Sequence, residues 1–269
     1  MFEHPRRDLS IPNVTPKPSI LGRQRLSVLR APIDILTMSE AVARIGEWAC
    51  HRDSRSVCIC NAHSVVTCGE DPKFYAAIES ADMATPDGAP VAWMLRRLGA
   101  RGQPRVSGPD LMLEYLALAD ARGEAVGLYG SSPETLAALK DRLLARWPRL
   151  QIAYAVSPPY RALTAAEDEA IVRSINQSGA RTLWVSLGCP KQELWMASHV
   201  NRVQAVMIGV GAAFDFHAGT VARAPAWMRD FGLEWLHRLC SEPRRLMHRY
   251  ATTNTKFIVG AARQLMWRV

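Results

Sequence analysis

The stretch RTLWVSLGCPKQELWMASHV, residues 181–200, decides the fold because it contains a complete strand–turn–helix unit. RTLWVSLG is a short apolar run with the length of a buried strand. Gly188 and Pro190 interrupt the run, and KQELWMASHV (191–200) is typical of a helix. A buried strand that leads directly into a helix is the building unit of parallel sheets with helices on both faces.

The same unit recurs on both sides of this stretch. Residues 56–66 indicate a strand, a loop and a helix, and further strands are predicted at 124–130, 150–156 and 205–211. Helices are predicted at 132–147 and 164–179, the second beginning with a capping box at Thr164 and Glu167. The predicted fold class is therefore α/β, with a mainly parallel, Rossmann-like sheet flanked by helices.

Three segments are predicted along the chain. Residues 1–25 contain four prolines among polar residues and are expected to form a mobile leader. Residues 26–225 are expected to form the α/β core, and residues 226–269 a basic, amphipathic helical C-terminal appendage. The segment 232–250, GLEWLHRLCSEPRRLMHRY, has three interpretations: a buried terminal helix, a nucleic-acid contact, or a basic edge that meets an anionic group at a membrane.

Charge and cysteine usage restrict the function classes. The formal net charge is +8, and the basic residues are concentrated in residues 1–30 and 223–269, which indicates an anionic partner at the two ends. The N-terminus MFEHPRRDLS has no apolar stretch of signal-peptide length, and the most apolar run, residues 205–214, is too short to span a bilayer. The six cysteines do not form a secretory pattern. The expected compartment is a reducing cytoplasm.

Ligand chemistry is expected at the loops that follow the strands, because ligands of such sheets bind beyond the carboxyl ends of the strands. These loops are 61–63, 85–88, 129–134, 188–193 and 209–215. In YGSSPE (129–134), Gly130 allows a tight turn, and Ser131 or Ser132 can cap a helix whose free N–H groups could bind an anion, although an ordinary capped helix start explains them equally well. No GxxxxGK[ST] loop and no GxSxG elbow occurs, which disfavours P-loop NTPases and α/β-hydrolases.

Two loops contain candidate reactive or binding side chains. Asp87 in TPDG (85–88) could accept a proton from a hydroxyl, although an aspartate between proline and glycine often only forms a turn. Lys191 and Gln192 at a helix start could bind an oxygen-rich ligand, or could serve only capping and solvation.

The cysteine cluster is a second kind of candidate. Cys58, Cys60, His63 and Cys68 could suggest zinc, but their spacing is not that of a C-x-x-C pair. Core packing of the three cysteines is the favoured interpretation.

Nine motifs occur in an order that resembles the WecB/TagA/CpsF (WecG/TagA) family of bacterial glycosyltransferases, over about residues 26–250. They are IDILTMSEAV (33–42), NAH (61–63), TPDGAPV (85–91), RVSGPDL (105–111), GLYGSSPE (127–134), VSLGCPKQELW (185–195), GVGAAFDFHAG (209–219), RAPAWM (223–228) and GLEWLHRLCSEPRR (232–245). The combination of RAPAWM, GLEWLHRL and EPRR is the most specific part of the resemblance.

The resemblance implies an activity and its partners. It implies the transfer of a sugar from a UDP-sugar to a glycan intermediate on a polyprenyl diphosphate. The transfer would invert the anomeric configuration and would require neither a metal ion nor a cofactor. The product would be exopolysaccharide, capsule or a teichoic-acid-like polymer. The absence of a D-x-D motif is consistent with metal independence. The protein would be cytoplasmic and peripherally associated with the inner face of the cell membrane. An anionic membrane surface is therefore an expected partner, whereas nucleic acid is not. Whether the protein forms a homo-oligomer is left open.

The resemblance also implies residue roles in the core. Asp87 matches the proposed catalytic base of the family, Arg105 an arginine near the donor phosphates or the acceptor, and Gln192 a glutamine of the pocket. Asn61 matches the polar residue of a T-x-N stretch, although Ile59 stands here at the threonine position.

In the appendage, Arg238 and Arg245 match two arginines that neutralise the leaving diphosphate. Pro243 predicts a helix break between them. The third arginine of the family falls at His248 with Arg249 beside it, so either residue is a candidate.

Two other function classes are weighed against this one. An NAD(P)-dependent oxidoreductase requires a complete glycine fingerprint, but Phe214 occupies the third glycine position of GVGAAF (209–214). A basic nucleic-acid-binding protein would explain the charged ends, but the arginines here alternate with tryptophans and leucines and no known binding module occurs.

Overall fold

A computed structural model describes residues 22–241 and 243–267, without the side chains of residues 230, 244–246 and 248–250. Its strands are β1 Arg25–Val28, β2 Ala31–Asp34, β3 Arg55–Cys60, β4 Met83–Pro86, β5 Ala125–Gly130, β6 Gln151–Val156, β7 Thr182–Ser186 and β8 Val206–Gly209. Its helices are α1 Met38–Cys50, α2 Ala62–Glu70, α3 Pro72–Ser80, α4 Ala89–Arg97, α5 Gly108–Arg122, α6 Pro133–Arg146, α7 Ala165–Ser178, α8 Lys191–His199, α9 Ala213–Ala218, α10 Ala226–Asp230, α11 Glu234–Ser241 and α12 Pro243–Met266.

The central sheet has six strands in the order β4-β3-β8-β7-β5-β6, and every pair of neighbours is parallel. Each strand from β3 onward was expected from its apolar run except β4, whose last two residues lie in what was predicted as the loop 85–88. The α/β class and the parallel sheet flanked by helices are confirmed. The antiparallel hairpin of β1 and β2 was not predicted.

The sheet is buried on both faces, as side-chain alternation along β7 shows. Val185 belongs to the core cluster that contains Phe74 of α3, whereas Trp184 belongs to the opposite cluster with Tyr115 of α5 and Phe214 of α9. The rings of Tyr115 and Trp184 lie 5.8 Å apart between centroids. Because both faces are covered, the edge formed by the carboxyl ends of the strands is where a ligand can reach the sheet.

Local capping sets where the helices after the strands begin. The predicted capping box of α7 is confirmed, since Thr164 accepts from the Glu167 N–H and the Glu167 carboxylate accepts from the Thr164 N–H. Ser132 caps α6 by accepting from the Thr135 N–H at 3.2 Å. These caps hold the helix N-termini at the same edge of the sheet as the strand ends.

The C-terminal helices fold back onto the core. The helix α11 ends at Ser241 and α12 begins at Pro243, as the proline predicted. The helix α12 packs along α2 and buries Phe257 and Ala261. Gln264 holds the C-terminal end of α12 against the β1–β2 hairpin. The Gln264 amide nitrogen donates to the Ser27 carbonyl, and the amide oxygen accepts from the Leu29 N–H, both at 2.7 Å.

The two ends of the chain are described only in part. Of the predicted leader, residues 1–21 lie outside the described residues, whereas Arg23 donates two hydrogen bonds to buried Asp34. Within the described part of the chain, each helix is either too short or too polar to traverse a bilayer.

Candidate active site

A cavity of about 1260 Å³ opens at the carboxyl edge of the sheet. All five loops that were expected to carry ligand chemistry contribute to its lining, through Asn61, Asp87, Ser131, Gln192 and Gly211 among others. These loops follow β3, β4, β5, β7 and β8. Parallel strands end at one edge, so residues far apart in sequence meet in one cavity.

Asp87 follows β4 directly and lines this cavity. Its N–H donates to the Cys60 carbonyl at 2.9 Å, and Gly88 turns the chain with a φ of 82° before α4 begins. The carboxyl remains partly accessible from the cavity, and no described side chain donates a hydrogen bond to it. Asp87 is thus held by its backbone while its carboxylate is left able to accept a proton.

The surroundings of Asp87 make its carboxyl a better base than a solvated aspartate. The pKa of Asp87 is raised to about 6, chiefly by burial and also by the negative charges of Glu234 and Asp110, against the opposing effect of Arg105 and Arg223. A carboxyl with a pKa near 6 is ionised at neutral pH and matched to proton transfer there.

A network of ion pairs lies beside Asp87. Arg105 donates to Glu234 at 2.8 Å and lies 3.5 Å from Asp110. Arg223 donates to both oxygens of Asp110, at 2.7 and 2.8 Å, and lies 3.4 Å from Glu234. Although burial opposes ionisation, hydrogen bonds from Arg223 and Ser107 lower the pKa of Asp110 to about 2. The network joins α5 of the core to α11 and places two guanidinium groups near Asp87 at the carboxyl edge of the sheet.

The turn after β5 has the geometry that its sequence predicted. Gly130 has a φ of 116°, and a side chain there would collide with the Ser186 carbonyl, which accepts from the Ser131 N–H at 2.9 Å. Ser131 and Ser132 line the cavity, whereas Gly130 shapes the turn and is not in the lining. The oxygen of Ser132 is used for the helix cap, as the simpler interpretation of this turn proposed.

The first three residues of α8 differ in whether they are buried and in whether they line the cavity. Gln192 is 4% exposed and lines the cavity, whereas Lys191 is exposed and lies outside the lining. Glu193 was not singled out from the sequence, yet it is 1% exposed and also lines the cavity. Burial raises the pKa of Glu193 to about 7. The only sequence signal for this residue was its position next to Gln192.

Asn61 has a local structural role at the start of α2. Its side-chain oxygen accepts from the N–H groups of His63 and Ser64, at 2.9 and 3.2 Å, which caps the helix. Its side chain is exposed to the cavity, so a ligand contact is compatible with this cap. Ile59, at the position where the family has threonine, packs against the Gly108 backbone and also lines the cavity.

One wall of the cavity comes from the C-terminal helices. Glu234, Trp235 and Arg238 of α11 contribute to it, together with residues of α12 that include Asn254 and Ile258. Arg238 lies over the Phe216 ring at 5.4 Å, and its buried Nε has no hydrogen-bond partner among the described residues. Arg245, His248 and Arg249 lie in α12, and their side chains are outside the described part of the chain.

The cysteines near the site pack in the core, as predicted. Cys58, Cys60 and Cys68 are at most 2% exposed and are not in disulfides. Burial raises the pKa of each thiol, that of Cys68 to about 12. The described residues include no group of three or more His, Cys, Asp or Glu side chains placed to hold a metal ion.

Comparison with known families agrees with the motifs. The model of one family, described as the glycosyl transferase WecG/TagA/CpsF family, matches residues 26–269, nearly the whole chain. The match includes the core, the strand-end loops and the C-terminal helices. It favours neither an NAD(P)-dependent oxidoreductase nor a nucleic-acid-binding protein.

Proposed function

The chain belongs to the glycosyl transferase WecG/TagA/CpsF family, and we propose that it moves a sugar from a UDP-sugar to a glycan intermediate on a polyprenyl diphosphate. The family makes it a glycosyltransferase of cell-surface polysaccharide biosynthesis. The UDP-sugar donor, the lipid-linked acceptor, an inverting course and metal independence are the proposed refinements. A polymer of the exopolysaccharide, capsule or teichoic-acid type is the proposed product.

Asp87 is the residue on which the proposal depends most. Its carboxyl lines the cavity, accepts no side-chain hydrogen bond from a described residue, and has a pKa of about 6. In the proposed step, an acceptor hydroxyl oxygen attacks the anomeric carbon while the bond from that carbon to the UDP oxygen breaks on the opposite face. The hydroxyl proton passes to Asp87. One carboxylate is sufficient for this single displacement, which inverts the anomeric configuration.

Guanidinium groups are proposed to offset the charge that develops on UDP. Arg105 and Arg238 line the cavity, and Arg223 contacts Glu234 of α11, which also lines it. Arg238 has a buried N–H without a partner among the described residues. A guanidinium group can bond two phosphate oxygens at once, which is why these side chains could act without a divalent ion. Arg245 and either His248 or Arg249 are proposed to add to this charge from α12.

A membrane surface is proposed as the place of reaction. Trp227, Phe231, Trp235 and Leu236 are exposed on α10, α11 and the turn between them, and Trp235 also lines the cavity. Tryptophan and phenylalanine beside arginine are suited to the interface of an anionic membrane. We call these four residues the apolar edge. Peripheral association of this edge with the cytoplasmic face would bring the cavity to a lipid-linked acceptor.

A transfer assay tests the proposal. The purified protein is incubated with a panel of UDP-sugars and a polyprenyl-diphosphate glycan, with EDTA in one arm, and products are identified by mass spectrometry. The expected result is one added sugar and release of UDP from a preferred donor, unaffected by EDTA. If the protein transferred sugar from another nucleotide sugar but from none of the UDP-sugars, the donor assignment would be contradicted. Loss of activity in EDTA would contradict metal independence.

A further inference from the structure

Gln192 and Glu193 form a buried polar pair on the floor of the cavity. They are the second and third residues of α8, are 4% and 1% exposed, and both line the cavity. The Gln192 N–H donates to the Gly188 carbonyl at 2.9 Å, so the pair is fixed to the turn after β7. Polar side chains so deeply buried are normally fully hydrogen-bonded.

Among the described residues, the nitrogen of the Gln192 amide has a hydrogen-bond partner and the oxygen has none. Its Nε2 donates to Glu193 Oε1 at 2.9 Å, whereas its Oε1 is buried and has no hydrogen-bond partner among the described residues. A Cβ atom at Gly209 would lie 3.1 Å from the amide nitrogen, and one at Gly211 would lie 3.5 Å from the amide oxygen. The two glycines therefore let the amide lie against the end of β8. Gln192 belongs to the cavity lining, and its buried amide oxygen lacks a partner among the described residues.

We propose that Glu193 is a positioning residue that fixes the orientation of the Gln192 amide, so that Gln192 Oε1 accepts a hydrogen bond from a hydroxyl or N–H group of the sugar nucleotide. The proposal rests on the function proposed above. An ionised carboxylate can only accept hydrogen bonds, so the side of the amide that faces Glu193 must be its NH₂ group. The oxygen is then held towards the ligand before the ligand arrives.

Protonation of Glu193 would remove this constraint. A carboxylic acid can donate to an amide oxygen, so the amide can turn over and present its NH₂ group to the cavity. The pKa of Glu193 is raised to about 7 because the effect of burial outweighs the opposing hydrogen bonds from Gln192, from its own backbone and from the Cys189 thiol. The site should therefore bind a hydrogen-bond donor well above about pH 7 and poorly below it.

The three buried thiols that couple to the charge of Glu193 do not change charge in this range. Cys58 and Cys60 of β3 and Cys68 of α2 couple to its charge, and burial raises the pKa of each thiol. These thiols stay neutral near pH 7. Cys189, which precedes α8, is a hydrogen-bond donor to Glu193. Asp87 titrates near the same range, so it must be neutralised in the experiment.

The test compares Asp87→Asn with Asp87→Asn/Glu193→Gln. Binding of UDP-glucose and of UDP-N-acetylglucosamine is measured by calorimetry from about pH 5.5 to about pH 8.5, a range that brackets the pKa of Glu193. Loss of one hydrogen bond predicts that the affinity of the better ligand rises about tenfold with pH in the first protein. In the second protein, the affinity is expected not to change with pH.

The outcomes separate the positioning role from the function. Binding of neither sugar nucleotide by Asp87→Asn would overturn the UDP-sugar site and the inference with it. Binding with the same pH dependence in both proteins would overturn the positioning role alone. Glu193→Gln in the otherwise unchanged enzyme is expected to raise the donor KM several-fold more than it lowers kcat, with an unchanged Tm. A fall in Tm with equal changes in kcat and KM would show a merely structural role.

Discussion

Asp87 and Glu193 differ in how well the sequence could identify them. Asp87 was predicted because it lies between proline and glycine in a loop expected at the ligand-binding edge of the sheet, and because it matches the proposed base of the family that the motifs resemble. Glu193 in the first turn of α8 is indistinguishable from an acidic residue that only stabilises a helix N-terminus. Its burial results from the packing of α8 against α3, β3 and β8, which no local pattern specifies.

The surroundings of Asp87 predict a pH dependence of turnover. Because burial raises its pKa to about 6, kcat/KM should fall about tenfold per pH unit as the pH decreases below about 6. Glu234 contributes to this raised pKa, so Glu234→Gln should shift the acidic limb of the profile to lower pH. The measurement is UDP release from about pH 4.5 to about pH 8, with the distant exposed substitution Glu169→Gln as control. An acidic limb that stays in place in Glu234→Gln would contradict the electrostatic account.

At the scale of elements, the sequence predicted the strands and helices of the core better than it predicted how the N-terminal hairpin and the C-terminal helix α12 pack together. The capping box of α7 and the break at Pro243 depend on neighbouring residues and were predicted. The hydrogen bonds that Gln264 makes with Leu29 and Ser27 join residues 235 and 237 positions apart, and the hairpin of β1 and β2 lies under the end of α12. Such contacts depend on the whole fold and have no short-range signal.

The helix α11 gives a second prediction. Arg238 lines the cavity, and its Nε has no partner among the residues that the structure describes. Arg238→Ala should therefore lower kcat about tenfold or more by removing charge that stabilises departing UDP. Arg263→Ala is the matched control, because Arg263 is an exposed arginine of α12 outside the lining and should retain turnover within about twofold. Both are measured by UDP release at saturating donor. Equal losses in the two variants would contradict a direct role for Arg238.

At the scale of the whole molecule, the cavity and the apolar edge lie on the side of the sheet where the C-terminal helices close the site. The sequence predicted a basic, amphipathic appendage, but it did not predict that α12 buries Phe257 and Ala261 in the core. Removal of α12 would therefore expose core residues as well as change the site. Point substitutions on the apolar edge test membrane binding more cleanly than truncation does.

The apolar edge and the net charge of +8 predict binding to anionic vesicles. Phe231→Ser/Trp235→Ser should reduce co-sedimentation with phosphatidylglycerol vesicles about tenfold, because two aromatic side chains no longer enter the interface. Leu144→Ser, at an exposed leucine of α6, is the control and should bind as the wild type does. Unchanged binding of the double variant would place the membrane contact elsewhere.

The central claim is that Asp87 takes the proton of the attacking hydroxyl, and single-turnover transfer by Asp87→Asn tests it most directly. Asparagine keeps the size of the side chain but cannot accept the proton. The account predicts that transfer from bound UDP-sugar slows by about 10²-fold to 10⁴-fold, while UDP affinity stays within a few-fold of the wild type. Asp141→Asn, at an exposed aspartate of α6, should leave the rate unchanged. Transfer by Asp87→Asn at the wild-type rate would contradict the account.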